Sequence, residues 1–326
     1  MTKRDELMED DEAIESILRS APPRPAPSAA DVAEARSAVH DEWLALYGRR
    51  RERHNLLWLA AAAAIVCAVA AGLFMLRVPS ALPEQVATVE RSAGTIYLLG
   101  EQSVLDEVPG LAELMAGQTL VTGQDAGLAL SWLGGGSLRI DADSRIEFLS
   151  AREVFLHDGQ VYFDSLAGAD FAVRTDDGVI RHVGTQYMAS VTASGVTVSV
   201  REGKVRILAD TFDATAVSGQ QVRVQGGARP EYANVRTYGE LWHWAEMFTP
   251  TIDVDGQSAH QFIRWAARES GLDVRFANAE VEALAHGTHM SGNTGELEPR
   301  VALHALLQTT TLEAAFVDNS ILVSER

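Results

Sequence analysis

Residues 186–201, QYMASVTASGVTVSVR, decide the fold class, because Val196, Val198 and Val200 alternate there with Thr197, Ser199 and Arg201. A strand turns successive side chains to opposite faces, so this period of two marks a half-buried strand, and its β-branched residues favour one. The texture continues outward. Leu128, Leu130 and Trp132 alternate with Ala129 and Ser131, and similar runs lie at 94–99, 145–149, 152–156, 159–163, 171–175, 178–183 and 203–208. About ten strands with frequent Gly, Asp and Ser turns predict an all-β domain of stacked or sandwiched sheets over residues 84–228. Glycines such as Gly159 and Gly203 are expected at positive-φ turns, with Tyr, Phe and Val positions filling the core.

A connector at 229–249 holds Trp242, Trp244 and Phe248, expected to pack on a neighbouring domain. Residues 250–326 then read as a small α/β domain. A strand at 251–254 precedes a helix from Ser258 to Ser270, stopped by Gly271, and a strand at 272–276 follows. The pattern recurs with a strand at 286–291, a helix from Pro299 at its first position, and strands at 312–317 and 321–324 around an Asp318-Asn319 turn. Two βαβ-like halves leave strand edges that can accept a strand from a partner.

On the N-terminal side, residues 56–76, LLWLAAAAAIVCAVAAGLFML, run without a charge. As a helix they would cover about 31 Å, close to the bilayer core of about 30 Å, which predicts a single membrane span. Arg49, Arg50, Arg51 and Arg53 precede it and only Arg77 follows, so the N-terminus is expected in the cytosol and residues 77–326 in the periplasm of a bacterium. The formal charge of −18 divides into −3 for residues 1–55 and −15 for residues 77–326. That acidity argues against nucleic acid and anionic lipid surfaces as ligands and favours protein partners. The single cysteine, Cys67, lies in the apolar stretch, so no intrachain disulfide can form.

The first 55 residues open with an acidic segment at 4–20 and a break at Pro22, Pro23, Pro25 and Pro27. A helix follows, because Ser28 with Asp31 resembles a capping box and Val32, Ala35, Val39, Trp43, Leu46 and Tyr47 follow at spacings of three and four. So short a segment cannot bury this stripe within itself. Either the face bearing Val39, Trp43 and Leu46 docks in the groove of a cytoplasmic protein, or the helix lies on the membrane or pairs with the acidic segment.

Signals of chemistry are sparse. His286 and His289 stand three apart in a stretch read as strand and turn, with no third ligand nearby in sequence. Asp141, Asp143 and Ser144 lack the glycine and distal glutamate of a calcium loop, and Gly134–Ser137 lacks the lysine of a phosphate loop. The segment Gly184-Thr185-Gln186-Tyr187 reads as strand and turn. No catalytic, cofactor or metal site is assigned, and an enzyme is not expected.

An ordered set of elements resembles the FecR family of transmembrane sigma-factor regulators. It comprises Gly117 and Gln118; Thr122 and Gly123; Gly136 and Ser137; Leu156; Gly159 through Phe163; Phe171, Val173 and Thr175; Val183 through Tyr187; Val198, Val200, Glu202, Gly203 and Val205; and Gly219 with Gln220. Residues 250–326 resemble the secretin and TonB short N-terminal domain. The resemblance implies that residues 1–55 bind an extracytoplasmic-function sigma factor, that 56–76 anchor the chain in the inner-membrane bilayer, and that the periplasmic part meets the signalling domain of a TonB-dependent outer-membrane receptor to report iron-chelate uptake. The N-terminal segment departs from the family, whose members usually carry a longer helical domain with a tryptophan-rich motif. An envelope protein that uses the same outer domains without a sigma factor is the alternative.

Overall fold

The computed structural model describes residues 15–16, 19–20, 26–46, 84–99, 105–133, 135–165, 171–182 and 184–326. The expected span at 56–76, with Cys67 and the flanking arginines, lies outside these residues, as do most of the acidic segment and Gly134. Among the described residues no helix is long and apolar enough to cross a membrane. The chain divides into two units, residues 1–80 and 81–326.

In the first unit residues 29–46 form helix α1. Its start is built as the spacing predicts: the Ser28 hydroxyl accepts from the Asp31 amide at 3.2 Å, while the Asp31 carboxylate accepts from the Ser28 amide and hydroxyl. These bonds serve donors that a helix N-terminus leaves without intrahelical partners.

The second unit begins with seventeen strands in two ladders. One runs in the order β4 (Glu113–Met115), β1 (Gln85–Ala93), β6 (Gly127–Trp132), β7 (Ser137–Ile140), β9 (Glu153–Asp164), β12 (Gln186–Thr192), β13 (Gly195–Glu202), β16 (Gln220–Val224) and β17 (Glu231–Asn234). The other runs β3 (Leu105–Glu107), β2 (Ile96–Leu99), β5 (Thr119–Thr122), β8 (Arg145–Ser150), β9, β10 (Ala172–Thr175), β11 (Gly178–His182), β14 (Lys204–Ala209) and β15 (Phe212–Val217). Every pairing is antiparallel except β9 with β10. A single core cluster joins the ladders, with Leu130, Val161, Phe163, Val198 and Val200 from the first and Phe148, Leu156, Val173 and Ile207 from the second.

Strand β9 belongs to both. Its first half pairs with β8 and its second with β12, and the change falls at Gly159. The expected turn at Gly159 is therefore a kink inside one long strand. Its φ is +94°, and a Cβ there would stand 2.4 Å from the Ser144 Cα, so the crossing requires glycine. The count of about ten strands was also short: β3, β4, β5 and β7 hold only three or four residues, too few to show a period, and the longer β1, β15 and β16 were not read either. Strand β17 adds a final pairing within the stretch read as connector.

The remaining chain forms a single 3-10 turn (Glu240–Trp242), helices α2 (His243–Met247), α3 (Ala259–Ser270), α4 (Ala279–Gly287) and α5 (Pro299–Leu307), and strands β18 (Asp273–Phe276), β19 (Leu312–Val317) and β20 (Ser320–Glu325). Ser258 and Gln261 close a capping box on α3, Gly271 ends it in the left-handed conformation, and Pro299 opens α5. The sheet order is β18-β20-β19, with β18 parallel and β19 antiparallel to β20. Phe262, Ile263, Leu303, Leu307, Leu312 and Ile321 fill this second core.

Two expected strands are corrected. Residues 251–254 contribute only an isolated bridge from Asp253 to Asn293. Residues 286–291 are not a strand: His286 and Gly287 end α4, and His289 makes one bridge to Ser258. The cause is local, since the Asn278 side chain caps α4 by accepting from the Val281 amide, and Ala279, Ala283 and Ala285 favour helix.

Candidate functional site: a buried ionic junction

Along the second half of β9, Val161 and Phe163 enter the β core, so Tyr162 points to the other face of its sheet. Its cross-strand neighbours there are Arg139 on β7 and Met188 on β12, and Ser199 on β13 continues the row. Water does not cover this row. Tyr162, Met188, Trp242 and Ala245 form a buried cluster of their own, with the Trp244 indole N–H donating to the Met188 sulfur at 3.3 Å. Gly127 on β6 makes room for Phe248, whose ring would lie 2.1 Å from a Cβ.

Three arginines then tie the α/β domain to the sheet. Arg139, fully buried, donates to the Glu269 carboxylate on α3 at 2.5 Å and to the Ala245 carbonyl at 2.7 Å. Arg201, at the end of β13, donates to the Glu246 carboxylate on α2 at 2.7 Å and to the Glu269 carbonyl. Arg268 on α3 reaches back to β9, donating through both terminal nitrogens to Asp164 at 2.7 and 2.5 Å and through Nε to Glu202 at 3.1 Å. Gln186, from the segment read as strand and turn, holds the same Asp164 carboxylate at 3.1 Å. The Arg139 and Arg201 guanidiniums lie 4.9 and 5.6 Å from the Tyr162 ring centre, and Arg201 lies 4.7 Å from that of Trp242, contacts that favour a desolvated cation.

Electrostatics follow from burial. Desolvation alone would lower the pKa of Arg139 and Arg268, but Glu269 and Asp164 more than offset it and both are raised. Burial pushes the Glu246 carboxyl up more than Arg201 draws it down, and burial likewise raises the Tyr162 phenol. Separating either buried pair would leave each charge in a poor solvent, although the Nε of Arg139 and of Arg201 is buried without a hydrogen-bond partner among the described residues. Beside the junction lies a cavity of about 450 Å³ lined by Gln186, Arg201, Glu202, Thr237, Arg268 and Asp273.

Gly271 locks the approach. Its φ is +65°, and a Cβ would stand 1.8 Å from the Thr237 carbonyl oxygen and 2.9 Å from the Arg201 Nε. Gly271→Ala is therefore expected to destabilise residues 81–326 by about 1–2 kcal/mol and to speed tryptic cleavage after Arg236. An unchanged melting temperature and cleavage rate would remove Gly271 from this role.

The residues singled out in the sequence lie elsewhere. Val39, Trp43 and Leu46 are on α1, in the unit spanning 1–80, with 69%, 53% and 68% of their surfaces exposed. None of the junction arginines was singled out. Arg201 read as the solvent side of an alternating strand, and its only signal was that a polar position followed three buried valines.

Comparison with known proteins gives one family. No curated protein matches the chain. Two crystal structures of a protein of Parabacteroides distasonis ATCC 8503, provisionally assigned as an anti-sigma factor, share 15% identity and 64% of this chain, spanning 99% and 98% of their own; a TM-score of 0.34 is too low to establish a shared fold. The family model described as FecR protein matches residues 118–206. That segment, similar to the FecR family, runs from β5 into β14 and contains Arg139, Tyr162, Asp164, Gln186 and Arg201, the β-domain half of the junction.

Proposed function

We propose that the protein is a membrane-anchored regulator of an extracytoplasmic-function sigma factor and works by protein contacts. The FecR match over residues 118–206 carries this reading. Residues 1–55 hold the sigma factor in the cytosol through the α1 face of Val39, Trp43 and Leu46, residues 56–76 cross the inner membrane, and the two folded domains lie in the periplasm. The exposed apolar stripe on α1 supports the first part and the arginine asymmetry the second. The α/β domain, by its likeness to the secretin and TonB short N-terminal domain, receives the signalling domain of a TonB-dependent receptor during iron-chelate uptake. Strand β19 is an edge of its sheet with Phe316 and Val317 exposed, a form that suits strand addition. The buried ion pairs make the two domains one body, so a load on β19 reaches the FecR segment without slack.

Two experiments test the two ends. Full-length protein captured from its own cells should bring down a sigma factor, and alkaline phosphatase should be active when fused after Arg326 and inactive when fused before Arg49. Capture without a sigma factor would favour an envelope-binding protein, and an active N-terminal fusion would reverse the orientation.

A further inference from the structure

The helix α4, absent from the sequence reading, assembles a second cluster. Glu282 and His286 stand four residues apart on α4 and so share a face. Against them lies His260, in the first turn of α3, and the ligating atoms of the three all fall within 4.8 Å of one another. We propose that His260, Glu282 and His286 bind a divalent transition-metal ion of the zinc type.

His260 is built as the fixed ligand. Its side chain is 15% exposed, and its Nε2 is buried without a hydrogen-bond partner among the described residues, Glu282 Oε1 being 3.8 Å away. A buried nitrogen left unsatisfied is costly, and a metal ion would satisfy it. The Phe276 ring stacks on the imidazole at 5.5 Å and 13°, and His286 stacks on it at 3.8 Å and 20°, which fixes the plane of His260. Burial, then His286 and Arg264, lower the His260 pKa, while Glu282 raises it. Arg264 opposes a cation by its charge, and Glu282 supplies the compensating negative charge.

Two imidazole nitrogens and one carboxylate oxygen suit zinc and its first-row neighbours, while calcium and magnesium prefer oxygen alone. Zinc bonds of about 2.0–2.1 Å place tetrahedral donors about 3.3 Å apart. The ligands must therefore close by up to about 1.5 Å, and the stacked histidines must splay. The residues that have to move are the freer ones: His286 is exposed at the last turn of α4, and the Glu282 side chain is 45% exposed. Three protein donors leave one coordination position for water or a further ligand. Bound metal would join α3 to α4 on the side of α3 opposite Glu269, which lies nine residues, about 900°, from His260.

Titration calorimetry of the metal-free full-length chain with zinc chloride tests this. One zinc per chain is expected at micromolar concentration, without comparable heat from calcium or magnesium. His286→Ala, at an exposed position, and Glu282→Gln, which keeps the size of a side chain 45% exposed, should each weaken binding at least about tenfold in a folded chain. Cobalt(II) should give visible absorption bands that His260→Ala abolishes, with circular dichroism reporting whether that variant is folded. Absence of zinc binding by the folded wild type overturns the proposal, as does equal affinity in the His286→Ala and Glu282→Gln variants.

Discussion

Arg139→Leu is expected to destabilise residues 81–326 by about 3–5 kcal/mol, the cost typical of removing one member of a buried ion pair. Arg139 is fully buried and Glu269 is 5% exposed, so the substitution leaves a carboxylate without its 2.5 Å partner and without water. It also removes the donor to the Ala245 carbonyl. For a unit of this size such a loss lowers the melting temperature by about 6–20 °C. The double variant Arg139→Leu/Glu269→Leu should recover much of it, because replacing both charges by apolar groups removes their desolvation cost as well as their attraction. Urea and thermal unfolding of the single and double variants measure the difference. A single variant within about 1 kcal/mol of wild type would mean that apolar packing of Trp242 and Phe248, and not the ion pair, holds the junction.

Trp43→Ala should weaken sigma-factor binding about thirtyfold, since truncating a central aromatic anchor costs about 2 kcal/mol or more. Val39 and Leu46 lie four residues before and three after Trp43 on α1, on the same face, and should give smaller losses. Leu44, about 100° round the helix, is half exposed and should matter little. All these side chains are exposed, so the variants should accumulate to wild-type levels in the membrane while target transcription changes. A Trp43→Ala chain that holds the sigma factor as tightly as wild type would move the contact off this face.

What could be read along the chain was whatever neighbours in sequence decide by themselves. The alternation of Val196, Val198 and Val200 predicted β13, and Ser28, Ser258, Gly271 and Pro299 marked helix ends, because caps and strand pleat depend on residues a few positions apart. The same locality explains the misses. Strands of three or four residues carry no measurable period, and His286 was weighed with His289 because only spacing was visible, whereas its partners are Glu282 one turn back on α4 and His260 on another helix. Ser199 and Arg201 had to read as the wet side of a strand, yet both are buried, at 1% and 2% exposure. Alternation along a strand tells which residues share a face. Which face stays dry depends on what lands upon it, and here that was set by α2 and α3, brought from 45 and 68 residues further along the chain to place Glu246 and Glu269 against Arg201.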